Sequence, residues 1–141
     1  MRSFMKTDIF VDTSGFYALL VAKDPQHAKA AVLLKKAAGT NTRFVTTDYI
    51  LDETATLLKA RGMGHLLDLF FADITASRAC RTLWTDSTHF AQARDYFLQH
   101  KDKGYSFTDC VSFCAMRTEG LQRALTTDAH FRQAGFEPIW G

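Results

Sequence analysis

Short apolar runs alternate along the chain with longer segments whose apolar residues recur at helical spacing. Runs with the length of a buried strand occupy residues 8–12, 43–47, 79–86 and 122–127. The amphipathic segments predict helices over residues 14–22, 25–38, 49–62, 64–77, 87–101, 108–120 and 128–135. A last short run, 136–140, contains Pro138 and therefore indicates an edge strand.

Proline and glycine mark several of the predicted helix boundaries. Pro25 suits the first turn of the second helix, and Gly39 is expected to end it. Gly62 and Gly120 are expected to end the helices before them, because glycine readily adopts the left-handed conformation that commonly follows a helix.

Strands that alternate with helices predict an α/β fold with a mainly parallel sheet covered on both faces. The 141 residues are expected to form a single domain, 1–141. No stretch approaches the roughly 20 apolar residues of a membrane span. Three cysteines, an odd number, indicate free thiols in a reducing compartment, so we expect a cytoplasmic protein. The net charge of +2 neither demands nor excludes a polyanionic partner.

Four acidic residues fall where a parallel sheet gathers its ligands, outside the carboxyl ends of the strands. Asp12 ends the first predicted strand, Asp128 follows the fourth, and Asp109 opens a helix. Glu53 lies inside the helix that follows the second strand, about one turn from the strand end, and shares a helical face with apolar residues. An acid on such a stripe is expected to be paired, protonated or bound to a cation.

Each acid also has a purely structural interpretation. Asp12 and Asp128 could cap the helices that follow them, and Asp109 has the capping-box spacing from Ser106. Glu53 could pair with a nearby arginine. Independent caps have no need to converge on one rim, however, and carboxylates that do converge repel one another. A hard divalent cation relieves that repulsion, so the pattern indicates one or two Mg²⁺ or Mn²⁺ ions and phosphodiester cleavage.

Four motifs carry these acids in order: "VDTSGFYALL", "ILDETATLL", "YSFTDCVSF" and "ALTTDAHF". In this order and spacing they resemble the PIN domain, the nuclease fold of VapC-type toxins from toxin–antitoxin pairs. The resemblance covers nearly the whole chain. It implies a three-layer α/β/α fold around a mainly parallel sheet of about five strands. It also implies an endoribonuclease that cuts single-stranded or looped RNA with Mg²⁺ or Mn²⁺.

Carried over position by position, the resemblance implies a catalytic, metal-binding quartet of Asp12, Glu53, Asp109 and Asp128. Asp12 and Asp109 match the direct metal ligands, whereas Asp128 and Glu53 match positions nearer a second ion or bound through water. Ser14 and Thr126 match hydroxyl positions that orient the carboxylates. Thr108 either does the same or caps its helix.

Other side chains near the motifs are candidates for contacts with RNA. Tyr105 precedes the Asp109 helix and is expected to stack on a base. Lys103 is expected to contact phosphate, as an alternative to other basic residues whose positions the sequence does not place, Lys101, Arg43 and Arg117. His130 suggests a general base, but we expect it to be solvated, as a histidine on a short surface helix usually is.

The predicted helix 64–77 has too many apolar residues for one core-facing stripe. It is either buried on all sides or contacts another chain. In the resembled family the corresponding helices form a homodimer surface and a groove that holds an antitoxin. The resemblance therefore implies a homodimer and an antitoxin partner in addition to the RNA substrate. The lack of a membrane-length apolar stretch predicts no membrane association.

Other functional classes remain open from the sequence. A housekeeping RNA-processing nuclease would use the same active site. A receiver-like signalling module also gathers acids around Mg²⁺, but it requires adjacent acids after its first strand and a lysine near its last. Val11 precedes Asp12, and "FEPIW" has no lysine. A non-catalytic binding module would carry clustered, unbound acids at a cost in stability.

Overall fold

The computed structural model describes residues 8–74 and 76–140, and within them five strands form one parallel sheet in the order β3-β2-β1-β4-β5. The α/β prediction with about five parallel strands is confirmed. The strand that contains Pro138 is an edge strand, as predicted. The strands are β1 (Ile9–Val11), β2 (Phe44–Thr47), β3 (Cys80–Leu83), β4 (Arg123–Leu125) and β5 (Glu137–Pro138).

Helices connect the strands and cover the sheet as the outer layers of an α/β/α sandwich. No helix within the described ranges has the length and apolar character needed to cross a membrane. The α-helices of the described residues are α1 (Thr13–Leu20), α2 (His27–Thr40), α3 (Asp48–Ala60), α4 (Leu67–Leu69), α5 (Ser87–Gln99), α6 (Phe107–Glu119) and α7 (Ala129–Gln133).

Three glycines were expected to end helices, and two of them do. Gly62 and Gly120 have φ angles of 74° and 70° just beyond α3 and α6. Gly39, in contrast, lies inside α2, so that prediction was wrong. Asn41 ends α2 instead, with a φ of 58°. Asparagine tolerates the left-handed region better than most residues, and it leaves Gly39 helical.

The prediction of one regular helix over residues 64–77 was also wrong. A 3₁₀ turn (Gly64–Leu66) leads into the single turn of α4, and a π-helical turn (Phe70–Ile74) follows. Residue 75, within the predicted helix, lies outside the described residues. Phe70 is fully buried and packs edge-on to Phe16, with 5.4 Å between the ring centroids. The helix changes from α to π geometry at this buried residue.

The same segment leaves apolar side chains exposed. Leu69 is 41% exposed and Phe71 is 50% exposed. Of the two interpretations left open by the sequence, complete burial within this chain is therefore excluded. Exposed residues of this kind are typical of a surface that contacts another chain.

Aromatic packing fixes the helices that carry the acids. Phe131 on α7 lies between Phe10 of β1 and Phe113 of α6, at centroid distances of 6.2 and 5.0 Å. All three rings are fully buried. Because α6 and α7 are thereby attached to the central strand, Asp109 and Asp128 are held at fixed positions relative to it.

Gly15 sets the distance between α1 and β4. A Cβ at this position would lie 2.3 Å from the carbonyl oxygen of Leu125, which is shorter than any real contact. Glycine therefore allows the first turn of α1 to lie directly against the end of β4. This close approach brings Ser14 next to Thr126.

The strand order reverses between β1 and β4. The chain runs from β1 outward to β2 and β3, then returns to place β4 on the other side of β1, followed by β5. In open parallel sheets the crevice at such a switch point, outside the carboxyl ends of the strands, is where ligands bind. Asp12 directly follows β1, and Thr126 directly follows β4, so both lie at this crevice.

Candidate active site

Asp12 lies at the carboxyl end of β1 and is only 5% exposed. It is the first residue before α1, but its side chain makes no capping hydrogen bond to that helix. Instead its Oδ2 accepts hydrogen bonds from the hydroxyls of Thr126, at 2.8 Å, and Ser14, at 3.3 Å. The capping interpretation is therefore wrong for the Asp12 side chain, which is oriented by hydroxyl groups.

The two hydroxyls form a short network across the switch point. The Thr126 hydroxyl is completely buried and accepts the backbone N–H of Asp128 at 3.0 Å while it donates to Asp12. Ser14 accepts the backbone N–H of Thr127 at 3.0 Å. These bonds tie the start of α1 to the loop after β4. Ser14 and Thr126 thus lie where the resemblance implied carboxylate-orienting hydroxyls.

Asp109 combines the structural and the chemical interpretation. Its backbone N–H donates to Ser106 Oγ at 2.9 Å, and its Oδ2 accepts the Ser106 N–H at 3.0 Å, so the capping box is present. The same Oδ2 lies 3.1 Å from Nδ1 of His130. A capping box uses only part of the capacity of a carboxylate, which can accept several hydrogen bonds.

Asp128 caps α7, since its Oδ1 accepts the backbone N–H of His130 at 2.9 Å. The ring of His130 then turns back, so that Nδ1 lies 3.3 Å from Asp128 Oδ1 as well as close to Asp109. His130 is part-buried, and the prediction that it is solvated was wrong. The sequence signal was its position two residues after a capping aspartate, which places the ring beside that carboxylate.

Glu53 reaches the site indirectly. Its Oε1 accepts a hydrogen bond from the hydroxyl of Thr13, the residue after Asp12. The hydroxyl of the fully buried Thr54 lies 3.4 Å from the same Thr13 oxygen. Glu53 itself is exposed on α3, so the expectation of a carboxylate within a buried apolar stripe was wrong. No ion pair between Glu53 and an arginine occurs among residues 8–74 and 76–140.

The electrostatics of the site centre on Asp12. The pKa of its carboxyl is raised from the ordinary 3.8 to about 7, chiefly by burial and to a smaller extent by the neighbouring charges of Asp109 and Asp128. The hydrogen bonds from Thr126 and the Thr13 backbone act in the opposite direction. A cation beside Asp12 would favour its ionised form, because an opposite charge lowers the pKa of a carboxyl.

The donor set fits a divalent cation. One ligand atom each from Asp109, Asp128 and His130 lies within 4.8 Å of the other two. Carboxylate oxygens are the ligands that Mg²⁺ and Mn²⁺ prefer, and imidazole nitrogen is a common transition-metal ligand. Asp12 lies near this group without belonging to it, and Glu53 is hydrogen-bonded to Thr13, the residue after Asp12.

Three further predictions concern the loop before α6 and the first turn of that helix. Tyr105 is only 7% exposed, and its ring packs against those of Phe113 and His130 at centroid distances of 5.1 and 5.5 Å. It therefore has no free face for a base, and the stacking expectation was wrong. Lys103 is exposed in this loop, and its Nζ lies 3.8 Å from Oδ2 of Asp102. The Thr108 hydroxyl makes no hydrogen bond within the described residues, and Ser106 is the cap instead.

Two of the alternative candidates for phosphate contact, Arg43 and Arg117, interact with other groups of the protein. Arg43 pairs with the buried Asp8 at 3.1 Å. The guanidinium of Arg117 lies over the Tyr96 ring at 4.9 Å and donates to the carbonyl of Ala134. Lys101 is exposed. Cys80, Cys110 and Cys114 are free thiols, as predicted.

Comparison with known proteins identifies relatives over almost the full chain. The model of the family described as "PIN domain" matches residues 9–137. A protein of Mycobacterium tuberculosis named 23S rRNA-specific endonuclease VapC20 is 37% identical over 131 residues, which are 93% of this chain and 97% of that protein. A VapC ribonuclease of Archaeoglobus fulgidus is 31% identical over 104 residues, 72% of this chain and 65% of that protein.

A solved structure has the same architecture. The crystal structure of Mycobacterium tuberculosis VapC20, described as a sarcin–ricin loop cleaving toxin, superimposes with a TM-score of 0.80. The two chains are 33% identical, and the alignment covers 92% of this chain and 96% of the other. The three-layer fold expected from the resemblance is therefore confirmed.

Proposed function

The chain belongs to the PIN-domain family, among its VapC-type members, and on this premise we propose that it is a metal-dependent endoribonuclease. One observation supports the proposal above all others. Asp12, Asp109 and Asp128 come from three separate places in the sequence and meet at the switch point of the sheet, where their charges couple. Such a cluster is unfavourable for folding unless it binds a cation.

In this proposal each residue of the site has a defined task. Asp12, Asp109 and Asp128 hold one or two Mg²⁺ or Mn²⁺ ions, and His130 adds a nitrogen ligand or orients Asp109. Thr126 and Ser14 keep the Asp12 carboxylate aimed at the crevice. Glu53 acts at the margin of the site through Thr13, which it holds by a hydrogen bond. When bound, the cation supplies a nucleophilic water and stabilises the charge that develops on the scissile phosphate.

We propose that the substrate is a looped RNA of the ribosome. The support is the 37% identical relative, whose name gives 23S rRNA as its substrate, and the related structure described as cleaving the sarcin–ricin loop. A loop is also the kind of RNA that a protein reads by sequence, because its unstacked bases are accessible, whereas those of an A-form helix lie in a deep, narrow major groove. We assign a phosphate contact to Lys103, which is exposed next to Gly104, where an added Cβ would lie 3.1 Å from Nε2 of His130.

We further propose that the protein is the toxin of a toxin–antitoxin pair, acts in the cytoplasm and forms a homodimer. The free thiols of its cysteines support a reducing compartment. The exposed Leu69 and Phe71 support an interface with a second copy or with an antitoxin. In this proposal residues 1–141 form one such domain.

The proposal is tested by incubating the purified protein with 23S rRNA, and with a hairpin copy of its sarcin–ricin loop, in Mg²⁺, Mn²⁺ or EDTA. We expect cleavage at discrete positions with either cation and none with EDTA. Asp12→Asn should reduce cleavage to background, because it removes one charge from the cation site while it keeps an acceptor for Thr126.

Asp52→Asn is the matched control, since Asp52 is an exposed acid beside Glu53 on α3. It should cleave as the unmodified protein does. Equal activity of Asp12→Asn and the unmodified protein would identify a contaminating nuclease. Absence of cleavage by folded, antitoxin-free protein in every condition would contradict the proposal.

A further inference from the structure

Thr13, the first residue of α1, interacts with two carboxyl groups of the site. Burial raises the pKa of Asp12, and the hydrogen bond from the Thr13 backbone N–H partly counteracts this effect. The Thr13 hydroxyl donates to Oε1 of Glu53 at 2.5 Å. Among residues 8–74 and 76–140, Glu53 accepts a side-chain hydrogen bond from Thr13 alone. Thr13 therefore connects Glu53 with the acids at the switch point.

The chemistry of the neighbouring groups fixes the direction of the Thr13–Glu53 bond. An ionised carboxylate has no proton to donate, so the hydroxyl is the donor. The Thr54 hydroxyl has one proton, and its nearest acceptor is the Ile50 carbonyl at 2.7 Å, whereas Thr13 Oγ1 lies 3.4 Å away. Thr13 therefore directs its own proton to Glu53.

The segments that carry Thr13 and Glu53 are held at the ends of the two central strands. Thr13 is only 7% exposed. The hydroxyl of Thr46, at the end of β2, donates to the Val11 carbonyl at the end of β1 at 2.9 Å. Thr47 then caps α3 by accepting the Ile50 N–H at 3.2 Å. The starts of α1 and α3 therefore have a fixed separation.

The Glu53 side chain itself is exposed. An exposed glutamate samples several rotamers, and holding it in one of them costs conformational entropy. Thr13 orients it through Oε1, while Oε2 makes no hydrogen bond to the part of the chain that the structure describes. In metal sites, neighbours that orient a carboxylate in this way raise the affinity for the cation without contacting it.

We propose that Thr13 is a positioning residue for cation binding. Its hydroxyl fixes the Glu53 carboxylate relative to Asp12, so that the remaining Glu53 oxygen contributes to the affinity for Mg²⁺ or Mn²⁺. The proposal rests on the proposed function, because it takes the acidic cluster as a cation site. Thr13 acts here through Glu53 and not on the cation itself. Its contribution must therefore disappear when Glu53 is removed.

A double-mutant cycle tests this dependence with Mn²⁺ binding as the readout, in protein without RNA. The electron paramagnetic resonance signal of free Mn²⁺ gives the Kd. Thr13→Val keeps the shape of the side chain and removes its hydroxyl, and it should weaken binding about tenfold. Glu53→Ala should weaken binding at least as much. Adding Thr13→Val to Glu53→Ala should then change the Kd by less than about twofold, because the two residues act as one unit.

Two further variants separate positioning from a general effect on the fold. Thr13→Ser keeps the hydroxyl and should bind Mn²⁺ within about twofold of the unmodified protein. Thr88→Val is the matched control, since Thr88 is exposed in the first turn of α5, and it should bind normally. Urea denaturation checks that each variant is folded, and Thr13→Ala replaces Thr13→Val if the latter does not fold.

Three results would overturn the role of Thr13. One is unchanged Mn²⁺ binding by Thr13→Val, and another is weak binding by Thr13→Ser. The third is a tenfold loss on adding Thr13→Val to Glu53→Ala, which would show an effect independent of Glu53.

The failure of this role is distinguishable from that of the proposed function. Coupled Mn²⁺ binding without RNA cleavage would retain the role of Thr13 and reject the nuclease. Metal-dependent cleavage that is lost in Asp12→Asn, with normal Mn²⁺ binding by Thr13→Val, would do the reverse. Absence of Mn²⁺ binding by the unmodified protein would overturn both.

Discussion

At the scale of a single residue, Asp12 is a carboxyl that the fold removes from water although its ionised form favours hydration. Its carboxyl is almost completely buried, and two of its nearest charged neighbours are Asp109 and Asp128. Hydrogen bonds from Thr126 and Ser14 orient the carboxyl. They do not offset the burial, because the pKa of Asp12 still rises to about 7.

This pKa gives a stability prediction for the metal-free protein. Between pH 3.8 and about 7 the unfolded chain has an ionised Asp12, whereas the folded chain keeps it protonated. The unfolded state then binds fewer protons, so the contribution of Asp12 to stability falls as the pH rises through this window. The full loss, reached above pH 7, is on the order of 4 kcal/mol.

Asp12→Asn should therefore raise the free energy of unfolding in EDTA, by more at pH 8 than at pH 5. Urea denaturation at the two pH values measures the difference, and Asp52→Asn, at an exposed position, should show no such change with pH. If Asp12→Asn were destabilised equally at both pH values, the pKa of Asp12 would not be raised by burial as stated.

At the scale of elements, the site depends on how closely α1 approaches β4. The network of Asp12, Ser14 and Thr126 joins two segments more than a hundred residues apart in sequence, with the Ser14 and Thr126 hydroxyls 3.2 Å from each other. Gly15 makes this approach possible, because it has no side chain to meet the Leu125 carbonyl. The helix start and the strand end therefore form one unit.

Gly15→Ala should separate that unit. The added methyl would meet backbone atoms at 2.3 Å, so α1 must shift, and overpacking of this kind costs about 1–3 kcal/mol. We expect a lower midpoint in urea denaturation and weaker RNA cleavage. Gly39→Ala is the matched control. A Cβ added at this position inside α2 would meet nothing within 4 Å, so the substitution should be neutral or stabilising. Stability equal to that of the unmodified protein in Gly15→Ala would reject the close-packing argument.

At the scale of the whole molecule, the fold leaves several large apolar side chains exposed. Leu69 and Phe71 belong to the irregular helical segment, and the exposed Trp84 and Phe71 line the same shallow cavity beside α3. The proposed homodimer would cover part of this surface.

Leu69→Asp should shift the protein toward a monomer, because a buried unpaired charge at an interface is strongly unfavourable. Sedimentation velocity over a range of concentrations measures the change. Val32→Asp is the control, since Val32 is 67% exposed and belongs to α2 and not to this segment, and it should not alter the sedimentation. A monomer before any substitution, or an unchanged dimer in Leu69→Asp, would contradict the assigned interface.

The sequence by itself determined the α/β class, the parallel sheet, the edge strand at Pro138 and the places of Asp12, Asp109 and Asp128. These features follow from local periodicity and from the rule that parallel strands end at one rim. The family resemblance added the three-layer fold.

Only the tertiary structure decided the remaining points. His130 belongs to the site because α7 packs through Phe131 onto β1, and Tyr105 is unavailable for stacking because its ring fills the core beside that histidine. Glu53 is exposed because the rotation of α3 against its neighbours sets which face is buried. Gln26 and Trp140 are more than a hundred residues apart in sequence, yet both line one cavity with Asp128. Contacts of this kind depend on packing between distant segments, which local sequence patterns do not contain.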